Sequence, residues 1–245
     1  MKTTPRIHLA AALTPAAEIE LPRQQAHYLT DVLRLGGGDP VSVFNTRDGE
    51  WLSCVATVSK KRVTLRIERR LAGVSPPPDI DYIFAPLKHA RLDYVVQKAT
   101  ELGARRLRPV ITQRTIAERV NLERMRANVI EASEQCNLVF VAEVLEPVKL
   151  ATLIAEWEEG RALVYCDETA AVANPLDALK NLAAPAAVLI GPEGGFTPEE
   201  KALLKSLPYV TAISLGPRIM RADTAAVAAL TLVQAMLGDW HQRPR

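Results

Sequence analysis

Ile190-Gly-Pro-Glu-Gly-Gly-Phe-Thr-Pro-Glu-Glu200 is the stretch on which the reading of this chain turns. An apolar run, Ala187 to Ile190, enters it as a short buried strand. Three glycines then form a tight loop, where a ligand could approach the backbone closely. Thr197 stands as a helix N-cap, with Pro198 in the first turn and Glu200 placed to close a capping box. Taken alone, the pattern is either a ligand loop or a well-made strand-to-helix turn. It lacks the Lys-Ser or Lys-Thr of a phosphate-binding P-loop, and the Gly-x-Gly-x-x-Gly spacing of a dinucleotide fold.

A second passage of this kind lies downstream. Thr211 to Leu215 reads as a strand running into Gly216-Pro-Arg-Ile-Met-Arg221, followed by an Ala-rich helix from Ala225 to Leu237, expected to be capped near Asp223 or Thr224. Cys166-Asp-Glu-Thr169 follows a third strand, Ala162 to Cys166. Upstream, Tyr82 to Pro86 and Leu107 to Ile111 read as strands. Between them Arg91 to Leu102 forms a helix with Leu92, Val95, Val96, Ala99 and Leu102 on one face and Gly103 as its stop. A longer helix is expected over Val120 to Cys136. Short buried runs separated by helices imply a parallel sheet covered on both faces. Ligands of such sheets sit outside the carboxyl ends of the strands, where these three loops converge.

The first seventy residues have a different rhythm. Val41-Ser-Val-Phe44, Trp51 to Val58 and Arg62 to Glu68 alternate as strands do, and Asp48-Gly49 between the first two marks a hairpin. A short helical stretch holding His27, Val32 and Leu33 ends in the turn Gly36-Gly-Gly-Asp39. Several short strands in so few residues suggest a small barrel. Ser75-Pro-Pro-Pro78 then reads as a stiff linker. The expected organisation is a β-barrel domain over residues 1–72, a linker over 73–79 and an α/β domain over 80–245.

Composition narrows the function classes. At 245 residues the chain suits one or two domains, and 48% hydrophobic with 24% charged residues excludes disorder. Only 5% are aromatic, which argues against an RNA reader that stacks bases on a sheet face. The net charge of +2 says little, but basic residues cluster at Lys60-Lys-Arg62, Arg69-Arg70, Arg105 to Arg108 and Arg119 to Arg126, as a phosphate backbone requires. Each cluster reads equally well as a solvated face. Cys54, Cys136 and Cys166 are an odd, scattered set, neither a disulfide framework nor a zinc site, and no metal is expected. With no signal peptide and no apolar run near the roughly 20 residues of a membrane span, a cytoplasmic protein without membrane contact is expected.

The two loop motifs, GPEGGFTPEE at 191–200 and LGPRIMRADTA at 215–225, resemble the two signature segments of the RsmE family of SPOUT methyltransferases. The likeness extends over most of the chain: HYLTDVLRLGGGD at 27–39, KHARLDYVVQKATELGA at 88–104 and EASEQC at 131–136 match further segments in order. Five ordered matches with correct spacing are specific where any single one is not. The resemblance implies an N-terminal PUA-like β-barrel that binds RNA, and a SPOUT-type α/β domain with a parallel sheet and a C-terminal trefoil knot. It further implies S-adenosyl-L-methionine (SAM) as cofactor, a homodimer, and methylation of N3 of a uridine in 16S rRNA of the assembled small ribosomal subunit.

Carried over residue by residue, the resemblance places Leu189, Ile190, Gly191, Glu193, Gly194, Gly195, Leu215, Gly216, Ile219, Met220, Arg221 and Thr224 around the cofactor. Methyl transfer to uracil N3 needs in-line placement and loss of the N3 proton. Arg221 is the candidate for stabilising charge on the uracil oxygens. Glu193 is a candidate proton acceptor, with water as the alternative. Arg6, Arg34, Lys61 and Arg62 are candidate RNA contacts. The chain departs from the family after Gln135-Cys136, where Asn137-Leu-Val-Phe-Val-Ala142 replaces a Gly or Ser, an Arg and a nearby Pro. That departure is either a change of RNA contact or a local repacking. Two other readings stay open: a SPOUT enzyme retargeted to another RNA site, and a non-catalytic RNA-binding ribosome-assembly protein.

Overall fold

A computed structural model describes residues 4–59, 62–88, 90–116, 119–170 and 174–242. The chain divides into two compact units, one running to Pro76 and taking in Ser133–Val141, the other formed by Pro77–Ala132 and Ala142 onward. The change of rhythm at the prolines therefore coincides with one division. The return of residues 133–141 to the first unit had no counterpart in the sequence pattern.

The first unit holds strands β1 (Arg6–His8), β2 (Glu18–Glu20), β3 (Pro40–Asn45), β4 (Gly49–Val58) and β5 (Val63–Ala72), with helix α1 (Arg23–His27) continued by a π-helical turn, Tyr28–Val32. They form one sheet in the order β1-β3-β4-β5-β2, with β1 parallel to β3 and the remaining pairs antiparallel. Its inner side buries Ile7, Leu29, Val41, Val43, Val55, Leu65 and Ile67. The β3–β4 hairpin is closed by Asn45, whose Oδ1 accepts from the amides of Arg47 at 3.0 Å and Asp48 at 2.6 Å. Gly49 follows with φ +88°, and a Cβ there would run into the carbonyl of Ala72. The alternation expected over Trp51 to Val58 breaks: Ser53, Cys54 and Val55 are all buried where the register against β5 shifts at Leu52/Ser53, as a bulge does.

Arg6 was an expected RNA contact, and the structure corrects this. Its Nε donates to Glu50 at 2.9 Å, and its terminal nitrogens donate to the carbonyls of Ser133 at 2.6 Å and Leu138 at 2.8 Å. The guanidinium also lies over the Phe44 ring, 3.7 Å from its centroid. With 7% of the side chain exposed, it is a structural residue of the first unit. The atypical segment is part of the same arrangement. Asn137 takes φ +55°, and the amide of Leu138 donates to Ser133 O at 3.1 Å. This is a left-handed helix stop that Asn adopts more readily than most residues. The segment that departs from the family thus follows a helix stop at Asn137, with Val139 and Ala142 buried.

The second unit is built on a seven-stranded sheet. Its strands are β6 (Ile80–Phe84), β7 (Arg106–Ile111), β8 (Glu143–Val144), β9 (Val148–Lys149), β10 (Ala162–Cys166), β11 (Ala186–Ile190) and β12 (Val210–Ile213), ordered β12-β10-β11-β6-β7-β8 with β9 also on β7. Every pairing is parallel. The connecting helices are α2 (Ala90–Glu101), α3 (Leu122–Gln135), α4 (Leu150–Ala155), α5 (Pro175–Leu179), α6 (Pro198–Ser206) and α7 (Ala222–Leu237). One face of the sheet packs Ile83, Val110, Leu163, Tyr165 and Leu189 against Leu150 and Leu153 of α4 and Leu204 of α6. On the other, α7 packs on α2 and β11. Helix α2 stops as the sequence predicts, at Gly103 with φ +77°.

Two boundaries move for physical reasons. Strand β6 begins at Ile80, two residues before the expected start, because Asp81 is buried inside it. Arg106 Nε and Arg108 donate to the Asp81 carboxylate at 2.8 and 3.2 Å. A charge that reads as a strand boundary is neutralised within the sheet. Helix α7 begins at Ala222 with Arg221 as its N-cap residue in an extended conformation, so neither Asp223 nor Thr224 caps it. Replacing Asp81 with Ala takes from Arg108 its ion-pair partner and from Arg106 one of several, and the expected loss of stability is about 3 kcal/mol, read as a lower urea midpoint at unchanged slope.

Candidate active site

Because all pairings are parallel, the carboxyl ends of β10, β11 and β12 share one edge, with Tyr165 beside Leu189 and Cys166 beside Ile213. A cleft of about 420 Å³ opens there, within the size range of small-molecule sites. Its walls are Cys166-Asp-Glu168 after β10, Ile190 to Phe196 after β11, and Ile219 to Ala222 with Ala225 after β12. A smaller recess adjoins it, lined by Leu215, Gly216 and Arg218 and sharing Cys166 to Glu168, Ile219 and Met220 with the cleft.

Of the predicted cofactor residues, Ile190, Gly191, Glu193, Gly194, Gly195, Ile219, Met220 and Arg221 line the cleft, and Leu215 and Gly216 line the recess. Leu189 does not: its side chain belongs to the buried core beneath. Thr224 is exposed on the first turn of α7, outside both linings. Sequence reasoning missed Tyr165, Phe196 and Lys201 as lining residues. The convergence of Cys166-Asp-Glu with the other loops was the only signal for that wall.

The three glycines of the first loop have different physical reasons. A Cβ on Gly191 would collide with the Phe196 ring, about 2.5 Å from its Cε2. This glycine therefore serves the close packing of Phe196, which in turn meets Tyr165 edge to face at 5.3 Å. A Cβ on Gly194 would sit 3.5 Å from the Arg114 side chain in ordinary contact, so it would not intrude on the cleft. Gly195, at φ +67°, and Gly216, at φ +102°, would each project a Cβ into open space. Those two leave room at the cleft and the recess.

Hydrogen bonds hold the loop from outside. Thr197 and Glu200 form the capping box of α6, as the sequence predicts. The buried Glu200 carboxylate also accepts from the amide of Gln113, in the connection after β7, at 2.9 Å. Arg114 donates to Gly194 O at 2.9 Å, and Arg91 lies 3.5 Å from Glu193. Glu193 is thus engaged by a cation of α2.

The opposite wall rests on Asp167. Burial alone would raise its pKa, yet hydrogen bonds from Lys205 and from the amide and hydroxyl of Thr169, with Lys201 nearby, bring it to about 2. Lys205 lies 2.7 Å away. Beside it, burial pushes the Cys166 thiol up to about 12, so at neutral pH this thiol is not a nucleophile.

The residues match a nucleoside-containing ligand such as SAM. Peptide edges at Gly191 to Gly195 and at Gly216 can read a purine, Ile219 and Met220 offer apolar cover, and the room at Gly195 and Gly216 is free of side chains. Residues 75–234 match the model of the RNA methyltransferase domain, and residues 21–68 match that of the RNA methyltransferase PUA domain. The chain belongs to the RNA methyltransferase family of ribosomal RNA small subunit methyltransferase E. The enzyme of that name from Rickettsia conorii is 31% identical over 94% of this chain and 95% of its own. The crystal structure of the Neisseria gonorrhoeae enzyme of this family, bound to S-adenosyl methionine, is 25% identical and superposes with a TM-score of 0.86 over 97% of this chain and all of its own. A Legionella pneumophila methyltransferase solved with SAM is 29% identical, with a TM-score of 0.83 over 97% of this chain and 99% of its own. The family fold is therefore an α/β methyltransferase domain with a PUA domain, and the loops that line the cleft are the two motifs that carried the resemblance.

Among the remaining candidates, Arg34 is exposed at φ +55° and Arg62 is exposed 3.6 Å from Glu20. Lys61 lies outside the described residues. Among the described residues no group of His, Cys, Asp or Glu could hold a metal, and no helix is long and apolar enough to cross a membrane.

Gly191→Ala is expected to cost about 1–3 kcal/mol through displacement of the Phe196 ring. Gly194→Ala should be nearly neutral, and thermal unfolding of the two variants checks the contrast. For Asp167 the folded pKa is depressed from its ordinary 3.8. Its contribution to stability is therefore complete above about pH 4 and disappears as the pH falls toward 2. Acid titration of Asp167→Asn should show a shallower loss over that window than the parent protein.

Proposed function

We propose that this protein binds SAM in the cleft between the 191–196 and 216–221 loops and methylates N3 of a uridine in 16S rRNA of the small ribosomal subunit. The observation that carries this reading is the convergence of both signature loops on one cleft whose glycines leave space at the ends of parallel strands. SAM when bound supplies an electrophilic methyl group on a sulfonium. The peptide edges of Gly191 to Gly195 and of Gly216 orient it, and Ile219 and Met220 keep water from its apolar parts.

Arg221, exposed in the cleft lining as the N-cap residue of α7, holds the uracil oxygens and takes up negative charge as the N3 proton leaves. In the balanced reaction, N3 gains the methyl carbon, the sulfonium loses it to become a thioether, and the proton passes to water. Glu193, shared with Arg91, keeps the loop in shape. The PUA-like unit, on which Arg34 and Arg62 are exposed, contributes to gripping the RNA, with Lys61 a further candidate contact from the sequence. We read the segment from Leu215 into α7 as the threaded part of a trefoil knot, and the working form as a cytoplasmic homodimer. The exposed Met236 and Trp240 at the end of α7 supply apolar surface for that dimer.

The test is mass spectrometry of nucleosides from small ribosomal subunits that lack the modification, after incubation with the protein and SAM. 3-Methyluridine is expected; its absence with competent subunits would favour a retargeted or non-catalytic protein. Arg221→Ala should reduce turnover at least about tenfold while changing SAM affinity much less, as a residue acting in the transition state requires. Equal losses in both would make it a cofactor residue.

A further inference from the structure

The ion pairs of the second unit sort its cations by position. Among the described residues of that unit, six lysines and arginines have no described carboxylate within ion-pair distance: Lys88, Arg114, Arg119, Lys149, Arg218 and Arg221. Every other one is paired. All six are exposed. All six also lie at one edge of the sheet. Lys88 is in the connection leaving β6, Arg114 and Arg119 in the one leaving β7, Lys149 is the last residue of β9, and Arg218 and Arg221 follow β12.

In sheet order, β12, whose own loop forms one wall of the cleft, stands at one end and β6, β7 and β9 lie beyond β11 on the other side, so the unpaired charges lie on both sides of the loop after β11. The amino edge of the same sheet is the converse: Arg105, Arg106, Arg108 and Arg161 are all bound to Asp79, Asp81 or Glu158. Like charges gathered along one edge repel one another and cost stability, relieved in part where Arg114 acts on the Glu199 carboxylate from beyond ion-pair distance. An extended polyanion laid across that edge removes the cost.

We propose that the carboxyl edge of this sheet, from Lys149 and Arg119 past the cleft to Arg218, is the track on which the RNA backbone lies, with Arg114 joining the track to the cofactor loop. This rests on the function proposed above and assigns the residues that carry the substrate strand. Arg114 is suited to the junction. One of its N–H groups is fixed on Gly194 O, its loop is held through Gln113 to Glu200, and the rest of its planar donor fork is open to a phosphate.

The test measures binding of unmodified small ribosomal subunits as a function of salt, for the full chain and for Lys88→Ala/Arg119→Ala/Lys149→Ala. These three side chains have no ion-pair partner among the described residues and lie outside the cleft lining. Each phosphate contact on a single strand contributes about 0.7 to the slope of log affinity against log salt, so the triple variant should lose roughly 2 units of slope. Its SAM affinity, measured by calorimetry without RNA, should stay within about twofold of the parent. A control, Lys98→Ala/Arg126→Ala/Lys180→Ala, removes the same charge from paired positions and should leave the slope nearly unchanged. An unchanged slope in the first variant, or an equal loss in the control, overturns the track. Failure of the parent to bind SAM would instead overturn the function proposed above, while the slopes still decide the track.

Discussion

The second unit depends on a buried set of charges at the amino edge of its sheet. Arg161, fully buried, donates to the carbonyls of Asp79 at 3.2 Å and Ala186 at 3.0 Å, and to the carboxylates of Asp79 and Glu158 at 3.0 Å. Asp81, equally buried, is held by Arg106 and Arg108, and Arg106 also reaches Glu158 at 2.9 Å. These bonds connect the starts of β6, β7, β10 and β11. Burying such charges is costly unless each finds partners. Here the partners sit on four neighbouring strands, so satisfying them fixes the strands' mutual alignment at that edge. Parallel pairing carries the alignment to the other edge, where the loops must then emerge side by side.

Seen from that constraint, the cleft is what the carboxyl edge offers once the amino edge is pinned. The loop after β11 is shaped by contacts that have nothing to do with a ligand: Gly191 yields space to Phe196, Thr197 and Glu200 close the capping box, and Glu200 reaches Gln113. Only Gly195 and Gly216 leave open room. A rigid loop with a few positions kept empty is a preorganised site, in which little ordering remains to be done when a ligand arrives.

Much of this was legible in the residue pattern. The strand-to-helix loop at 190–200, its capping box, the stop at Gly103, the hairpin at Asp48-Gly49 and the alternation of strand and helix after the prolines all rest on local backbone chemistry, which short segments express by themselves. The strands β10 and β11 are continuous apolar runs for the same reason. What failed to show were charges whose partners are distant in sequence. Asp81 looked like a strand boundary because Arg106 lies 25 residues away. Arg6 looked like a free surface cation because Glu50, Ser133 and Leu138 are far along the chain.

By itself, then, the sequence determined the elements, the parallel class of the main sheet, the change of architecture near Pro76 and the two loops that build the cleft. Each of these follows from periodicity, turn residues or caps acting over a few positions. The tertiary structure decided which glycines serve packing and which leave room, that Leu189 is core, and that Tyr165 and Lys201 line the site. It also decided that residues 133–141 join the first unit and which arginines are neutralised. The physical reason is common to all of these: burial and ion pairing are properties of neighbours in space, and a single chain read in order does not name them.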